Sequence, residues 1–238
     1  MSEPLLRVSN ISAGYGRKIV IRDVSLEVPE GGAVGIVGPN GHGKTTLLNC
    51  VSAFVPLLGG EIRLGGHRLD GKPPHRVVEY GVVHIPQDNR IFPEMTVHDN
   101  LMMGAYLRKS QKDAPERLRY VLTLFPRLEE RQKQVASTLS GGERRMLSIG
   151  RGLMTGGRLL MIDEPTLGLS PLMAETIYGT LSRLREEGYS ILLVDENPMR
   201  ITEIAEQVYL LDDGSFVWSG NSSELEHSSE LLETYLGG

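Results

Sequence analysis

The stretch GGAVGIVGPNGHGKTTLLNCVSAF, from Gly31 to Phe54, constrains the fold more than any other part of the chain. AVGIV is a short unbroken apolar run, the pattern of a strand buried on both faces. KTTLLNCVSAF carries its apolar residues at helical spacing. Between them lie Gly38, Pro39, Asn40, Gly41, His42, Gly43, Lys44 and Thr45, which fit the pattern G-x-x-x-x-G-K-[ST]. Polyphosphate is densely charged and needs donors that approach closely. Glycines let the backbone curl with its N–H groups inward, and the helix start adds the positive end of its dipole. Lys44 is placed to reach the β- and γ-phosphates, the Thr45 hydroxyl to ligate Mg²⁺, and Thr46 follows in the same first turn. A chance glycine-rich turn would need neither the strand before it nor the helix after it. This segment alone predicts a nucleoside triphosphate site in an α/β sheet.

The rest of the chain agrees. Short β-like runs, LLRVSN, KIVIRDV and SLEVP, precede the loop, and GEIRLGG and GVVHIP follow it. From Thr96 to Val135 the pattern turns helical, in TVHDNLMMGAYLR and PERLRYVLTLFPRL. Strands return after Gly141 as LLMID, SILLVD, QVYLLDDG and SFVWSG. Apolar strands alternating with helices predict a parallel sheet covered on both faces. We expect one domain over residues 1–238: an α/β core, an antiparallel β subdomain near the N-terminus, and a helical part at roughly 88–155.

Composition narrows the setting. The chain has 238 residues, 40% hydrophobic and 23% charged, with a net charge of -5, an ordinary globular balance that does not favour a nucleic-acid partner. Cys50 stands alone, so no internal disulfide forms, which fits a reducing cytosol. The start, MSEPLLRVSN, lacks the basic and apolar segments of a signal peptide, and no apolar run approaches a membrane span of roughly 20 residues. Work at a membrane would need a partner. The six histidines, His42, His67, His75, His84, His98 and His227, form no spaced zinc cluster, and the His42 side chain is expected to point to solvent.

Two stretches look like copies: LLMIDEP (Leu159–Pro165) and LLVDENP (Leu192–Pro198). A strand ending in an Asp is where phosphate-loop enzymes hold Mg²⁺, so Asp163 fits that ligand and Glu164 could polarise the attacking water. A third signal is TLSGGERRMLSIGRGLM from Thr138. Ser140 and Glu143 have the spacing of a capping box. Two glycines at a helix start also make an anion site, a second one that needs a second nucleotide or a second subunit.

Together LSGGE, LLMIDEP and the phosphate loop resemble the ATP-binding subunit of ATP-binding cassette (ABC) transporters, over essentially the whole chain. The resemblance implies the phosphate-loop NTPase fold of an ABC nucleotide-binding domain, ATP and Mg²⁺ as ligands, and ATP hydrolysis between two head-to-tail subunits, identical or different. It implies that Tyr15 stacks on adenine, that Gln87 touches Mg²⁺, and that Ser140, Gly141 and Gly142 contact the partner's ATP. LGLSP (Leu167–Pro171) falls on the inter-subunit loop. The implied catalytic groups are Lys44 and Glu164; the implied metal ligands are Thr45, Gln87 and Asp163. The implied partners are a second ATPase subunit, membrane permeases and, indirectly, an external solute-binding protein, which places the chain at the cytoplasmic face of the membrane. NRIFPEMTVHDNLMMGAY, DEPTLGLSPLM and the ending YLGG resemble importers of branched-chain amino acids and related amides or urea. Lipopolysaccharide-export ATPases share LSGGERR. A soluble ABC ATPase acting on DNA or ribosomes usually carries two cassettes or basic arms, and a regulatory module would bind ATP without hydrolysing it.

Two expectations follow from the resemblance. Gln87 and the segment from Thr96 should border a groove for a short permease helix, with Ile91, Phe92, Met95, Met102 and Met103 as its apolar wall. LLVDENP should be the switch strand, where a His normally meets the γ-phosphate; here Glu196 occupies that place, either turned out to the surface or disturbing the site.

Overall fold

The computed structural model describes residues 3–228, so the closing YLGG stretch lies outside the described residues. In chain order the elements are β1 (Leu6–Tyr15), β2 (Lys18–Val28), β3 (Ala33–Val37), α1 (Lys44–Val51), β4 (Leu57–Leu64), β5 (His67–Arg68), α2 (Pro74–Tyr80) and β6 (Val82–Ile85). Then come α3 (Val97–Gly104), α4 (Arg108–Gln111), α5 (Ala114–Leu124), α6 (Pro126–Glu130) and α7 (Gly141–Met154). The chain finishes with β7 (Leu159–Asp163), α8 (Pro171–Glu186), β8 (Ser190–Val194), α9 (Pro198–Thr202), β9 (Gln207–Asp212), β10 (Ser215–Asn221) and α10 (Ser222–Glu226).

The strands form two sheets. One is antiparallel, in the order β2-β1-β4-β5. The other runs β10-β9-β3-β8-β7-β6 and is parallel except for β10. The runs KIVIRDV and SLEVP make one strand, β2, not two. Asp23 takes a left-handed φ of 50° opposite Asn10 at 47°, and the Asn10 amide donates to the Asp23 carboxylate at 3.0 Å, so the irregularity is absorbed without breaking the strand.

Period-two alternation divides the core between the two faces of the parallel sheet. Ile162, Ile191, Leu193 and Val208 pack with Leu147 of α7 and Ile177 of α8. Val34, Ile36, Met161 and Val194 face the other way, onto Leu47 of α1 and onto Leu6, Val8 and Ile62 of the antiparallel sheet. The sheet is covered on both faces as predicted, but one cover is largely a second sheet.

Between β6 and β7 the chain runs through α3 to α7. Thr96 caps α3, its hydroxyl accepting the Asp99 amide at 3.0 Å. The part from α3 to α6 is closed by an antiparallel bridge from Thr96 to Val135 and by the Ala136 amide donating to the Met95 carbonyl at 2.9 Å. The helical run read as PERLRYVLTLFPRL is broken at Phe125 by Pro126, giving α5 and α6. The helix from Lys44 also stops early, at Val51, with Ala53 at φ 58°.

Candidate active site

Strands β3, β8 and β7 lie side by side, so their carboxyl ends open onto one crevice, the usual ligand edge of such a sheet. The phosphate loop leaves β3 there. Gly38 is required because a Cβ would sit 2.1 Å from the Leu211 carbonyl oxygen. Gly43 caps α1 at φ 111°, and a Cβ would meet Ile21 at 2.8 Å. Thr46 is buried in the first turn of α1. Lys44 is only 4% exposed; its ammonium donates to the Gly38 carbonyl at 2.7 Å and the Pro39 carbonyl at 3.1 Å. The same nitrogen lies 3.6 Å from Glu164 Oε1. Gln87 donates to Glu164 Oε2 at 3.0 Å. Lys44, Gln87 and the Asp163–Glu164 pair, from three separate stretches of the sequence, therefore come together.

Glu164 sits at φ 42°, a strained conformation for a residue with a side chain, and its amide donates to the Val194 carbonyl at 2.8 Å. Burial raises its pKa; Lys44 pulls it down, and Glu196, then Asp163 and Asp195, push it up. Asp163 is fully buried, and among the described residues the nearby Thr45 hydroxyl is the one donor set toward its carboxylate. Burial raises its pKa too, while the nearby Thr45 hydroxyl, Lys44 and Arg145 lower it. A buried carboxylate with so few donors, beside a threonine hydroxyl, suits a hard cation such as Mg²⁺.

LLVDENP has a different role. Asp195 is buried, accepts the Tyr178 hydroxyl at 2.6 Å and the Asn197 amide at 2.9 Å, and so builds the corner between β8 and α9. Glu196 is half-buried, and its Oε1 is buried with no partner. It is not a freely solvated surface residue.

His42 departs from expectation. Its ring does not point to open solvent: Nδ1 lies 2.7 Å from Asp212 Oδ1 and 3.1 Å from the Asp213 amide, and its carbonyl accepts the Gly214 amide. The acidic β9–β10 turn draws the side chain in. His42→Ala is expected to lower the melting temperature by about 1–4 °C, the loss of one partly exposed polar pair, with a loss of ADP affinity of about threefold at most. Thermal melts with and without ADP check it.

Tyr15 ends β1 with its ring 53% exposed, available to stack on a base. Ser140 caps α7 in the predicted box, exchanging bonds with Glu143 at 3.3 and 2.9 Å. Gly141 and Gly142 follow as the first residues of α7, where amides have no intrahelical acceptor. Among the described residues, no hydrogen bond or ion pair joins Ser140, Gly141 or Gly142 to the phosphate loop.

Sequence reading missed Arg145. It is 2% exposed and donates to the carbonyls of Pro86 at 2.6 Å and Asp163 at 2.8 Å, and to Asn89 Oδ1 at 3.2 Å. Burial lowers its pKa to about 10, with Asp163 and Asp195 among the charges that hold it up, so the guanidinium stays charged at neutral pH.

A cleft of about 670 Å³ opens beside the site, reaching Thr45, Gln87 and Asp163. Phe54, Val78, Phe92, Met103 and Tyr106 are its exposed apolar lining. Of the five wall residues expected, only Phe92 and Met103 line it. Ile91 turns inward against the core, Met95 lies in the turn before α3, and Met102 sits on α3 off the cleft, one residue round the helix from Met103. No described helix is long and apolar enough to cross a membrane.

Comparison with known proteins agrees with this geometry. The ABC transporter family model matches residues 21–167. The high-affinity branched-chain amino acid transport ATP-binding protein BraG of Pseudomonas aeruginosa is 37% identical, covering 98% of this chain and 100% of that one. The BraF protein of the same organism is 32% identical, covering 100% and 99%, and a probable LivF of Archaeoglobus fulgidus is 36% identical, covering 98% and 99%. A nucleotide-free ATP-binding cassette from an ABC transporter superposes with a TM-score of 0.83 at 25% identity, covering 97% of this chain and 98% of that one. With a phosphate loop, an Asp-Glu strand end and a capped LSGG helix on one such scaffold, the chain belongs to the ABC transporter family and is one of its ATP-binding cassette ATPases.

Proposed function

We propose that the chain powers a membrane importer of branched-chain amino acids or related amides, docked on its permease at the cytoplasmic face. The carrying observation is the convergence of Lys44, Gln87 and Glu164, at 3.6 and 3.0 Å, beside the buried Asp163 carboxylate. The substrate class rests on relatives at 31–37% identity over nearly the whole chain, all named as branched-chain amino acid transport ATP-binding proteins.

In this reading Tyr15 stacks on adenine, and the amides of Gly38 to Thr46, with Lys44, hold the phosphates. Asp163, Thr45 and Gln87 would hold Mg²⁺, which neutralises phosphate charge when bound. Glu164 takes a proton from the water that attacks the γ-phosphorus, and ADP leaves. Ser140, Gly141 and Gly142 serve the ATP of a second cassette, since the glycine-rich start of α7 makes no bond to its own phosphate loop among the described residues. Two distinct relatives, BraF and BraG, occur in one organism, which favours a partner cassette of different sequence. The whole chain acts as one domain, with the helices of residues 88–155 as a subdomain, and an external binding protein delivers solute to the permease.

The apolar cleft takes a short permease helix. Phe92→Glu or Tyr106→Glu is expected to weaken assembly by about 2 kcal/mol or more while sparing ATP binding. Copurification under mild detergent reads this out and identifies the solute system through the chains recovered. Charge substitutions at Asp88 and Arg90, an ion pair on the cleft's rim, should also disturb assembly. Assembly that survives all four changes places the docking site elsewhere, and recovery of lipopolysaccharide-export components would replace the importer reading.

A further inference from the structure

Three side chains on one face of α7 grip the segment that carries Gln87. Arg145 donates to the Pro86 carbonyl and Asn89 Oδ1, Ser148 Oγ to the Asn89 carbonyl at 2.9 Å, and Arg151 to that same carbonyl at 3.2 Å. The gripped residues are strained. Asn89 and Arg90 take φ values of 59° and 43°, consecutive left-handed positions without a glycine, which persist only where the surroundings hold them. Arg145 also donates to the Asp163 carbonyl, the peptide oxygen directly before Glu164, itself at φ 42°. One guanidinium thus touches both backbone segments whose side chains meet in the Gln87–Glu164 bond.

Stability alone does not account for such a residue. Burying a charge is costly, and a well-packed apolar side chain of similar volume usually does as well or better. The Arg145 Nε is left without a partner, so the network is not built for maximal satisfaction. What a guanidinium adds is a planar fork that spans acceptors on different segments, which a lysine ammonium does not reproduce.

We propose that Arg145 is a positioning residue of the ATPase: it ties the start of α7 to the Gln87 segment and to the end of β7, so that Gln87 and Glu164 stay engaged only while α7 holds its place. The inference rests on the reading of the site given above, in which the Ser140–Gly142 end of the same helix meets a second cassette's ATP. Arg145 lies five residues from Ser140, little more than one turn, so a displacement of that end is carried to both segments.

The test uses the full chain with ADP binding, steady-state ATPase kinetics, and hydrogen exchange at residues 87–90. Arg145→Gln and Arg145→Lys are expected to bind ADP within about threefold of wild type and to lose about tenfold or more in kcat with KM little changed. The amides at 87–90 should exchange faster in both. Full rescue by Arg145→Lys would mean that charge alone matters and would overturn the proposal, as would normal kcat in Arg145→Gln. Should the Arg145 variants not fold, Asn89→Gly removes one acceptor and relieves one strained position outside the core. It should lower kcat by about threefold with faster exchange, and an unchanged kcat there also overturns the inference. Glu164→Gln is run alongside. If it keeps normal turnover, the reading of the site fails whatever Arg145 does; if it is inactive while the Arg145 and Asn89 variants turn over normally, only the positioning role fails.

Discussion

Glu164→Gln is expected to bind ATP with near wild-type affinity, to lose turnover by about 10²–10⁴, the usual contribution of a positioned base, and to run as a dimer in gel filtration with ATP and Mg²⁺. The amide keeps the shape of the side chain and still meets Gln87, now 3.0 Å away, but takes no proton from water. It also removes one carboxylate from a site where Asp163, Asp195 and Glu196 already oppose its charge, so nucleotide binding does not suffer. Lys44→Ala does the reverse. The Lys44 ammonium is held inside the loop by two carbonyls and the Glu164 carboxylate, and among the described residues no other cation lies within salt-bridge reach of Glu164. Truncating one partner of a buried charged pair costs roughly 2–5 kcal/mol, about 30- to several-thousand-fold in affinity. Equilibrium binding of a fluorescent ATP analogue and phosphate release, measured on both variants, separate the two losses. A Glu164→Gln protein with normal turnover removes Glu164 as the base.

The parts of this site that were legible in the sequence share one property: each is local in the chain. The phosphate loop needs a strand, glycines and a helix start within Ala33–Val51, and the Ser140 capping box closes over three residues. The Asp-Glu strand end is read the same way. What escaped depends on acceptors contributed by distant backbone. Arg145 reads as one more charge after a helix cap, because the Pro86 and Asp163 carbonyls it binds, 59 and 18 residues away, have no side-chain signature. The sequence around His42 points it to solvent because its partner, Asp212, lies 170 residues on. A cleft does lie beside Gln87, yet three of its five exposed apolar residues escape the helical reading: Phe54 follows α1, Val78 lies in α2, and Tyr106, although it sits in the run TVHDNLMMGAYLR, falls two residues beyond the end of α3. The likeness of LLMIDEP and LLVDENP was likewise a likeness of strands. In the first the Asp lies beside the Thr45 hydroxyl and the Glu beside the lysine; in the second the Asp is spent on Tyr178 and Asn197 in a structural corner.

That leaves Glu196, and Glu196→His is expected to raise the ATPase rate of the isolated chain, with Glu196→Gln raising it less. Two unit charges ~4 Å apart repel by roughly 4 kcal/mol at an effective dielectric near 20. Glu196 is the foremost carboxylate pushing the Glu164 pKa upward, ahead of Asp163 and Asp195. Its buried Oε1 has no donor to spread the charge. A γ-phosphate brought to this place adds negative charge to a group that already opposes a neighbour, where the resemblance puts a histidine able to donate a hydrogen bond. Gln removes the repulsion; His also supplies the donor, hence the order of the two effects. Each ~1.4 kcal/mol of repulsion relieved in the transition state corresponds to about tenfold in rate. On this view the chain's own phosphate-loop site is the slower half of a two-cassette pair, and its intact Ser140–Gly142 helix start completes the site of a partner that retains the histidine. Phosphate release by the purified chain across neutral pH, for wild type and both variants, is the deciding measurement. Brisk wild-type turnover that falls in Glu196→His would make Glu196 a working catalytic residue and remove the asymmetry.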